Sequence, residues 1–121
     1  MKNLIILVVE DNNVNFLFLE EILTSIKATV LHAKNACEAI EICSNHPGIN
    51  LVLMDIKLPD MSGYDAAKKI KQLNPDMPII AQTAYALEGD RDKALECGCN
   101  EYIAKPIKLD HLIELVLIHK K

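Results

Sequence analysis

Five side chains in this sequence could together handle a phosphoryl group: Glu10, Asp11, Asp55, Thr83 and Lys105. Each lies at or just beyond the end of a short strand-like run. Glu10-Asp11 closes Leu4-Ile5-Ile6-Leu7-Val8-Val9, and Asp55 closes Leu51-Val52-Leu53-Met54. Thr83 follows Pro78-Ile79-Ile80-Ala81 by two positions, and Lys105 follows Glu101-Tyr102-Ile103-Ala104 directly. A carboxylate becomes an effective phosphoryl acceptor when a hard divalent cation, held by oxygen ligands, bridges it to the donor and a lysine neutralises the charge spreading over the phosphoryl oxygens. Three acids, one hydroxyl and one ammonium supply that set. None of them is specific alone. A single Asp at a strand end is usually a helix cap, a single Lys a solvated charge, and a single Thr an ordinary loop hydroxyl. The information lies in their joint placement.

That placement depends on the elements between them. Four consecutive apolar residues, Leu51 to Met54, have the length and composition of a strand buried on both faces, as in a parallel sheet. Residues 4–9 read the same way. A helix follows from about Asn13 to Ile26, with Asn12 or Asn13 as its cap and Phe18, Leu19, Ile22, Leu23 and Ile26 as its inward stripe. Residues 29–32 form a second strand. Asn35, with Glu38 three positions on, opens a second helix whose inward face is Ala36, Ala39, Ile40 and Cys43. After the central strand at 50–54, Ser62 and Asp65 cap a helix over Gly63 to Leu73 with Ala66, Ala67 and Ile70 inward. Pro78 to Ala81 is the fourth strand, and a polar helix runs from about Glu88 to Cys97 with Gly98 as its C′ residue. Glu101 to Ala104 is the last strand. The final helix places Leu109, Leu112, Ile113, Val116 and Leu117 inward. Strict alternation of this kind implies a parallel sheet with helices on both faces. The expected fold is α/β: a flavodoxin-like, doubly wound, five-stranded parallel sheet of (βα)5 type, order 2-1-3-4-5, in one domain over residues 1–121. In such sheets ligands bind at the carboxyl ends of the strands, where all five candidate residues fall.

Bulk properties remove several function classes. The 13 Lys and Arg residues against 17 Asp and Glu give a net charge of −4, which disfavours nucleic acid as a partner. No apolar run reaches the roughly 18 residues of a membrane span. The expected location is cytoplasmic. Met1, three residues ahead of the first strand, suits a natural start. The four cysteines read as reduced thiols, and Cys97-Gly98-Cys99 lacks zinc-knuckle spacing. His32, His46, His111 and His119 are scattered and read as surface or edge residues.

Over its whole length, and in the right order, the chain resembles a two-component response-regulator receiver domain of the CheY-like kind. The matching stretches are Val9-Glu10-Asp11-Asn12, Leu53 through Gly63, Thr83-Ala84 and Tyr102-Ile103-Ala104-Lys105-Pro106. The resemblance implies a phosphorylation-controlled signalling switch that accepts a phosphoryl group on Asp55 from a histidine kinase or a histidine phosphotransfer protein, and that turns over no small substrate. It implies Mg2+, with Mn2+ as a substitute, held by Asp11, Asp55 and the backbone carbonyl of Lys57, with Glu10 assisting through water. It further implies that Thr83 and Lys105 bind the phosphoryl oxygens, and that Lys105-Pro106 is a cis peptide. Thr83 and Tyr102 form the expected switch, acting on a downstream protein through the face of the last strand and last two helices. Asn12 with Asn15, Thr83 to Ala86, and Gly89-Asp90-Arg91 are closest to receivers of hybrid histidine kinases and to stand-alone, cell-cycle-type receivers. Ser62-Gly63 replaces a more usual Asp-Gly, and Cys99 stands where a smaller or apolar residue is common.

Other readings fit less well. A Mg2+-dependent hydrolase with an aspartyl nucleophile needs a second acid two residues after it, where this chain has Lys57. A flavin carrier of the same topology would meet Glu10-Asp11 where its phosphate must sit. Tyr85 and Lys57 flank the path of water to the phosphoryl group and are expected to set its lifetime. On the first helix, Leu17 lies opposite the centre of the apolar stripe and Phe16 about a quarter-turn away. Phe16 and Leu17 are therefore the expected docking patch for a helical phosphodonor.

Overall fold

The computed structural model describes residues 4–83 and 90–120. Its elements are β1 (Leu4–Val9), α1 (Asn13–Ser25), β2 (Ala28–Ala33), α2 (Ala36–Asn45), β3 (Leu51–Asp55), α3 (Gly63–Leu73), β4 (Ile79–Thr83), α4 (Asp90–Glu96), β5 (Glu101–Ala104) and α5 (Leu109–His119). The strands form one parallel sheet in the order β2-β1-β3-β4-β5. This is the flavodoxin-like architecture expected. No helix among the described residues is long and apolar enough to cross a membrane.

The alternation of side chains along each strand divides the core in two. Ile6, Val8, Leu51, Leu53, Ile80 and Ile103 pack with Leu19, Ile22 and Leu23 of α1 and with Leu112, Leu115 and Val116 of α5. Leu7, Val9, Val52, Met54, Ile79 and Ala81 pack on the opposite side, with Ala36 and Ala39 of α2, Ala66, Ala67 and Ile70 of α3, and Ala94 of α4. Small residues on α2 and α3 let those helices lie close to the sheet. β3 is buried along its whole length, and each large apolar side chain it encloses contributes about 1.5–3 kcal/mol.

The helix starts follow from local chemistry. Asn12 accepts from the Asn15 N–H and Asn35 from the Glu38 N–H, so both act as N-caps. Ser62 caps α3 by accepting from Tyr64 N at 3.1 Å, one residue earlier than the expected partner Asp65. Gly98 ends α4 at φ +94°, a conformation that favours glycine. All four cysteines are free thiols, and burial pushes Cys43 up to about 11 and Cys99 up to about 12.

Two apolar stripes differ from expectation. On α1 the buried residues are Leu19, Ile22 and Leu23, while Phe18 is 48% exposed. On α5 they are Leu112, Leu115 and Val116, with Leu109 and Leu117 exposed. Both helices carry consecutive apolar residues, so periodicity admits neighbouring stripes and the docking angle selects one. β4 also runs two residues further than expected, through Gln82 and Thr83. The expected first turn of the α4 helix, from Glu88, lies outside the described residues.

Gly63 shows why α3 can start where it does. A Cβ there would sit 2.1 Å from the Asp55 backbone oxygen and 2.7 Å from the Ile56 Cα. Gly63→Ala should therefore destabilise the fold by about 1–3 kcal/mol, although alanine gains up to about 1 kcal/mol in helix propensity. A denaturant midpoint equal to or above that of the parent would show that the loop after β3 yields freely.

Candidate functional site

Sheet register brings the site together. Val9 pairs with Met54, so the next residues, Glu10 and Asp55, emerge side by side from β1 and β3. Asp55 pairs with Gln82, and Thr83 pairs with Ala104, which places Lys105 one step beyond. Glu10, Asp55, Gln82 and Lys105 share the strand parity of Val8, Leu53, Ile80 and Ile103, on the side of the sheet covered by α1 and α5. Thr83 has the opposite parity. It shares its side with Tyr102, which is half-buried against the core under α2, α3 and α4.

The charges are tightly arranged. Lys105 Nζ lies 3.3 Å from Glu10 Oε1 and 3.4 Å from Asp55 Oδ2. Asp55 Oδ1 accepts from the Lys57 N–H at 3.0 Å, and Glu10 Oε2 from the Asn12 N–H at 3.3 Å. Glu10 is 1% exposed and Asp55 4%, while Asp11 faces solvent. One carboxylate oxygen from each of Glu10, Asp11 and Asp55 lies within 4.8 Å of the others. Thr83 is buried, and its carbonyl accepts from the Lys105 N–H at 2.7 Å. The Lys105-Pro106 peptide is cis. All five residues singled out for phosphoryl chemistry thus meet at one rim. Three clustered carboxylates against one ammonium leave an excess of negative charge, which suits a hard divalent cation bound by oxygens.

The family described as response regulator receiver domain matches residues 6–117. The chain belongs to that family. Among its relatives is the polar-differentiation response regulator DivK of Brucella anthropi, 33% identical over 113 residues that span 92% of this chain and 91% of DivK. Among solved structures, the receiver domain of a sensor histidine kinase from Pseudomonas aeruginosa PAO1 was obtained with a magnesium ion coordinated in its active-site cleft. It is 35% identical, with a TM-score of 0.89 over 98% of each chain. A further neighbour comes from the co-crystal structure of the Saccharomyces cerevisiae histidine phosphotransfer protein Ypd1 with the receiver domain of its downstream response regulator Ssk1. It is 33% identical, with a TM-score of 0.88 over 97% of this chain and 88% of that one.

Three residues with no site role in the sequence reading, His32 among them as an expected surface or edge residue, support this receiver's site. His32 Nε2 donates to the Glu10 backbone carbonyl at 2.8 Å, and its ring stacks on Phe16 with centroids 3.6 Å apart. Phe16 is therefore half-buried, whereas Leu17 is 60% exposed. Asp60 reaches from the loop after β3 to the start of α2, accepting from the Ala36 and Cys37 N–H groups at 2.9 Å each. Those backbone donors pull its carboxyl down to about 2. Gln82 is wholly buried beside Asp55. The signal for Gln82 was its place two residues after Ile80, on the inward parity of the fourth strand; His32 and Asp60 act through backbone groups that leave no side-chain pattern. Tyr85, the expected companion of Lys57 in setting phosphoryl lifetime, lies outside the described residues.

Burial, and then the adjacent Asp55 carboxylate, push Glu10 up to about 7, against the opposing pull of Lys105 and the Asn12 N–H. Between its ordinary value of 4.5 and about 7, the folded receiver keeps a proton that the unfolded chain has lost. Stability contributed by this group must therefore fall as pH rises through that interval and level off above it. Glu10→Gln should remove the slope, so that the denaturant midpoint of the metal-free variant exceeds that of the parent at pH above 7. A parent whose extra pH dependence survives in Glu10→Gln would assign the proton elsewhere.

Proposed function

We propose that this receiver takes a phosphoryl group from a phosphohistidine onto Asp55 and uses the resulting change to control a downstream protein. The observation that carries the proposal is the Lys105 ammonium held 3.3 and 3.4 Å from two buried carboxylates at the end of the central strands. In the transfer, a carboxylate oxygen of Asp55 bonds to phosphorus while the phosphorus–nitrogen bond breaks, and its electron pair stays on the imidazole. Asp55 is oriented by the Lys57 N–H on one oxygen and by Lys105 on the other. Lys105 can keep contact with the aspartyl group while neutralising phosphoryl oxygens, and the Thr83 hydroxyl is the second donor to them. Mg2+ or Mn2+ would be held by Asp11, Asp55 and the Lys57 carbonyl, with Glu10 behind them. When bound it supplies neutralisation of the phosphoryl charge.

The hydrolase reading lacks its second acid, since Lys57 occupies that position. Incubation with acetyl phosphate and Mg2+ should add the mass of one phosphoryl group at Asp55. The addition should fail in Asp55→Asn and weaken sharply in Asp11→Asn. Modification at any other residue would overturn the assignment.

The switch runs through Thr83 and Tyr102, which share one side of the sheet. Drawing Thr83 towards the phosphoryl group vacates space for Tyr102 and remodels the α4-β5-α5 face. Coupling free energies of this kind are about 1–3 kcal/mol, which is about five- to a hundredfold in partner affinity. Thr83→Ala should accept the phosphoryl group yet lose most of that shift. Equal partner affinities for phosphorylated Thr83→Ala and phosphorylated parent would exclude Thr83 as the coupling residue.

For the donor, the docking patch is centred on Leu17, with Phe16 at its edge. Val14, 76% exposed, and the outward Phe18 extend it along α1, beside the Asp11 and Asp55 rim. The occupant we assign is a helical phosphotransfer domain, the kind of partner seen with the yeast receiver. Because Phe16 is stacked on His32, the clean test is Val14→Ala with Leu17→Ala. Loss of two interface anchors should slow transfer from the protein donor by about tenfold or more and leave acetyl phosphate unaffected. Equal loss with both donors would tie these residues to the fold instead.

A further inference from the structure

The β1–β2 ladder ends at the Val9–Ala33 pair, with the Glu10 N–H on the Ala33 carbonyl at 3.0 Å. The Glu10 carbonyl lies one step beyond that ladder, and the His32 imidazole takes it, Nε2–H to oxygen at 2.8 Å. The face of the same ring is covered by Phe16 of α1, with the ring planes 7° from parallel. A stack alone would be served by any flat ring, and an edge strand already paired over six residues needs no further hydrogen bond to stay in the sheet. The imidazole N–H is the feature that packing leaves unexplained.

What the N–H holds is the peptide plane that leads into Asp11. The Glu10 carbonyl and the Asp11 nitrogen belong to one rigid unit, so a hydrogen bond on the oxygen fixes the direction in which the Asp11 backbone departs. On the other side, Asn12 is fixed by α1: its side chain accepts from the Asn15 N–H at 3.0 Å and its carbonyl from the Phe16 N–H at 3.0 Å. Asp11 is thus suspended between two anchors, and Phe16 serves both, one through its backbone and the other through its ring. Such support matters most at Asp11, the exposed member of the three carboxylates, whereas Glu10 and Asp55 are held by burial and by Lys105. An exposed carboxylate serves a cation site only as far as its backbone is held in place, because freedom lost on binding subtracts from affinity.

We infer that His32 is a positioning residue for the divalent cation, aiming Asp11 through the Glu10–Asp11 peptide and braced by Phe16. The inference rests on the metal reading given above and not on the phosphoryl step. It joins α1, the helix assigned to donor docking, to the metal rim through a single imidazole. The Phe16 side chain therefore bears on Mg2+ affinity although it is no ligand.

The test is titration of the nitrogen-15-labelled full chain with MgCl2, read at the Asp11 and Lys57 backbone amides. His32→Phe keeps a ring for Phe16 and loses the donor, whereas His32→Gln keeps an N–H at comparable reach. His32→Phe should weaken Mg2+ binding by about tenfold, the scale of an outer-shell partner, and His32→Gln should recover most of that loss. The metal-free denaturant midpoint of His32→Phe should stay near the parent's. Its rate with acetyl phosphate at saturating Mg2+ should also match, because Asp55 and Lys105 are held by other contacts. Equal Mg2+ affinity in parent and His32→Phe would overturn the inference and leave the metal reading intact. A loss that His32→Gln fails to recover would overturn it as well, since ring shape rather than the N–H would then matter. A parent that binds no Mg2+ would overturn the metal reading and this inference together. Should His32→Phe fail to fold, undiminished Mg2+ affinity in Phe16→Leu would overturn the inference on its own.

Discussion

The structure turns on one ammonium group. Glu10 and Asp55 leave adjacent strands of the same sheet, so their carboxylates are forced together by backbone register. At separations near 4 Å, unit charges interact with about 4 kcal/mol at a typical effective dielectric. Lys105 converts that repulsion into a bridged pair. Asp11 then adds a third negative group at the solvent edge, and the balance is left one or more charges short. The raised titration of Glu10 expresses the same shortfall, because a proton on Glu10 and a divalent cation are alternative ways of relieving it. A site arranged this way suits a divalent cation at neutral or alkaline pH, where the competing proton on Glu10 is lost.

Lys105 can serve this role only because of the sheet order. It lies 95 residues from Glu10 and 50 from Asp55 along the chain. The order β2-β1-β3-β4-β5 puts one strand, β4, between the Asp55 strand and the strand that ends in Lys105. A lysine side chain is long enough to cross it, and the Lys105 N–H bond to the Thr83 carbonyl fixes where the crossing starts. Strand parity then sorts function by face. The chemistry of Glu10, Asp55 and Lys105 has the parity of the α1 and α5 side, whereas Thr83 and Tyr102 have that of the α4 side.

The central features were legible in the sequence because they rest on local rules. Apolar runs ending in acids specify buried strands with carboxylates at their carboxyl ends, and Asn12, Asn35 and Ser62 specify helix starts. What the sequence left open was rotational. Phe16-Leu17-Phe18-Leu19 offers an apolar residue in every direction around a helix, so the choice of Leu19 over Phe18 as the buried member comes from how α1 crosses the sheet. The run Leu115-Val116-Leu117-Ile118 in α5 has the same ambiguity. His32 and Asp60 were illegible for a different reason: each bonds to backbone groups of a remote segment, and backbone groups carry no identity in a sequence.

Asp60 also bears on the direction in which a phosphoryl signal can travel. The loop after β3 is fastened at several points. Gly63 N–H donates to the Ile56 carbonyl at 2.8 Å, Lys57 and Ser62 form a short antiparallel bridge, and Asp60 anchors the loop to the start of α2. The close fit of Gly63 against the Asp55 backbone leaves no slack behind the acceptor. A loop held this way orients the Lys57 carbonyl and N–H without moving much itself. On the opposite side, the connection after Thr83 leads to α4, a helix whose described span is seven residues with a single fully buried side chain, Ala94, in the core. On the proposed function, a phosphoryl group on Asp55 would add charge and bulk between this braced loop and the end of β4. With that loop braced, the proposed switch at Thr83 and Tyr102 is the one that leaves the loop beside Asp55 in place.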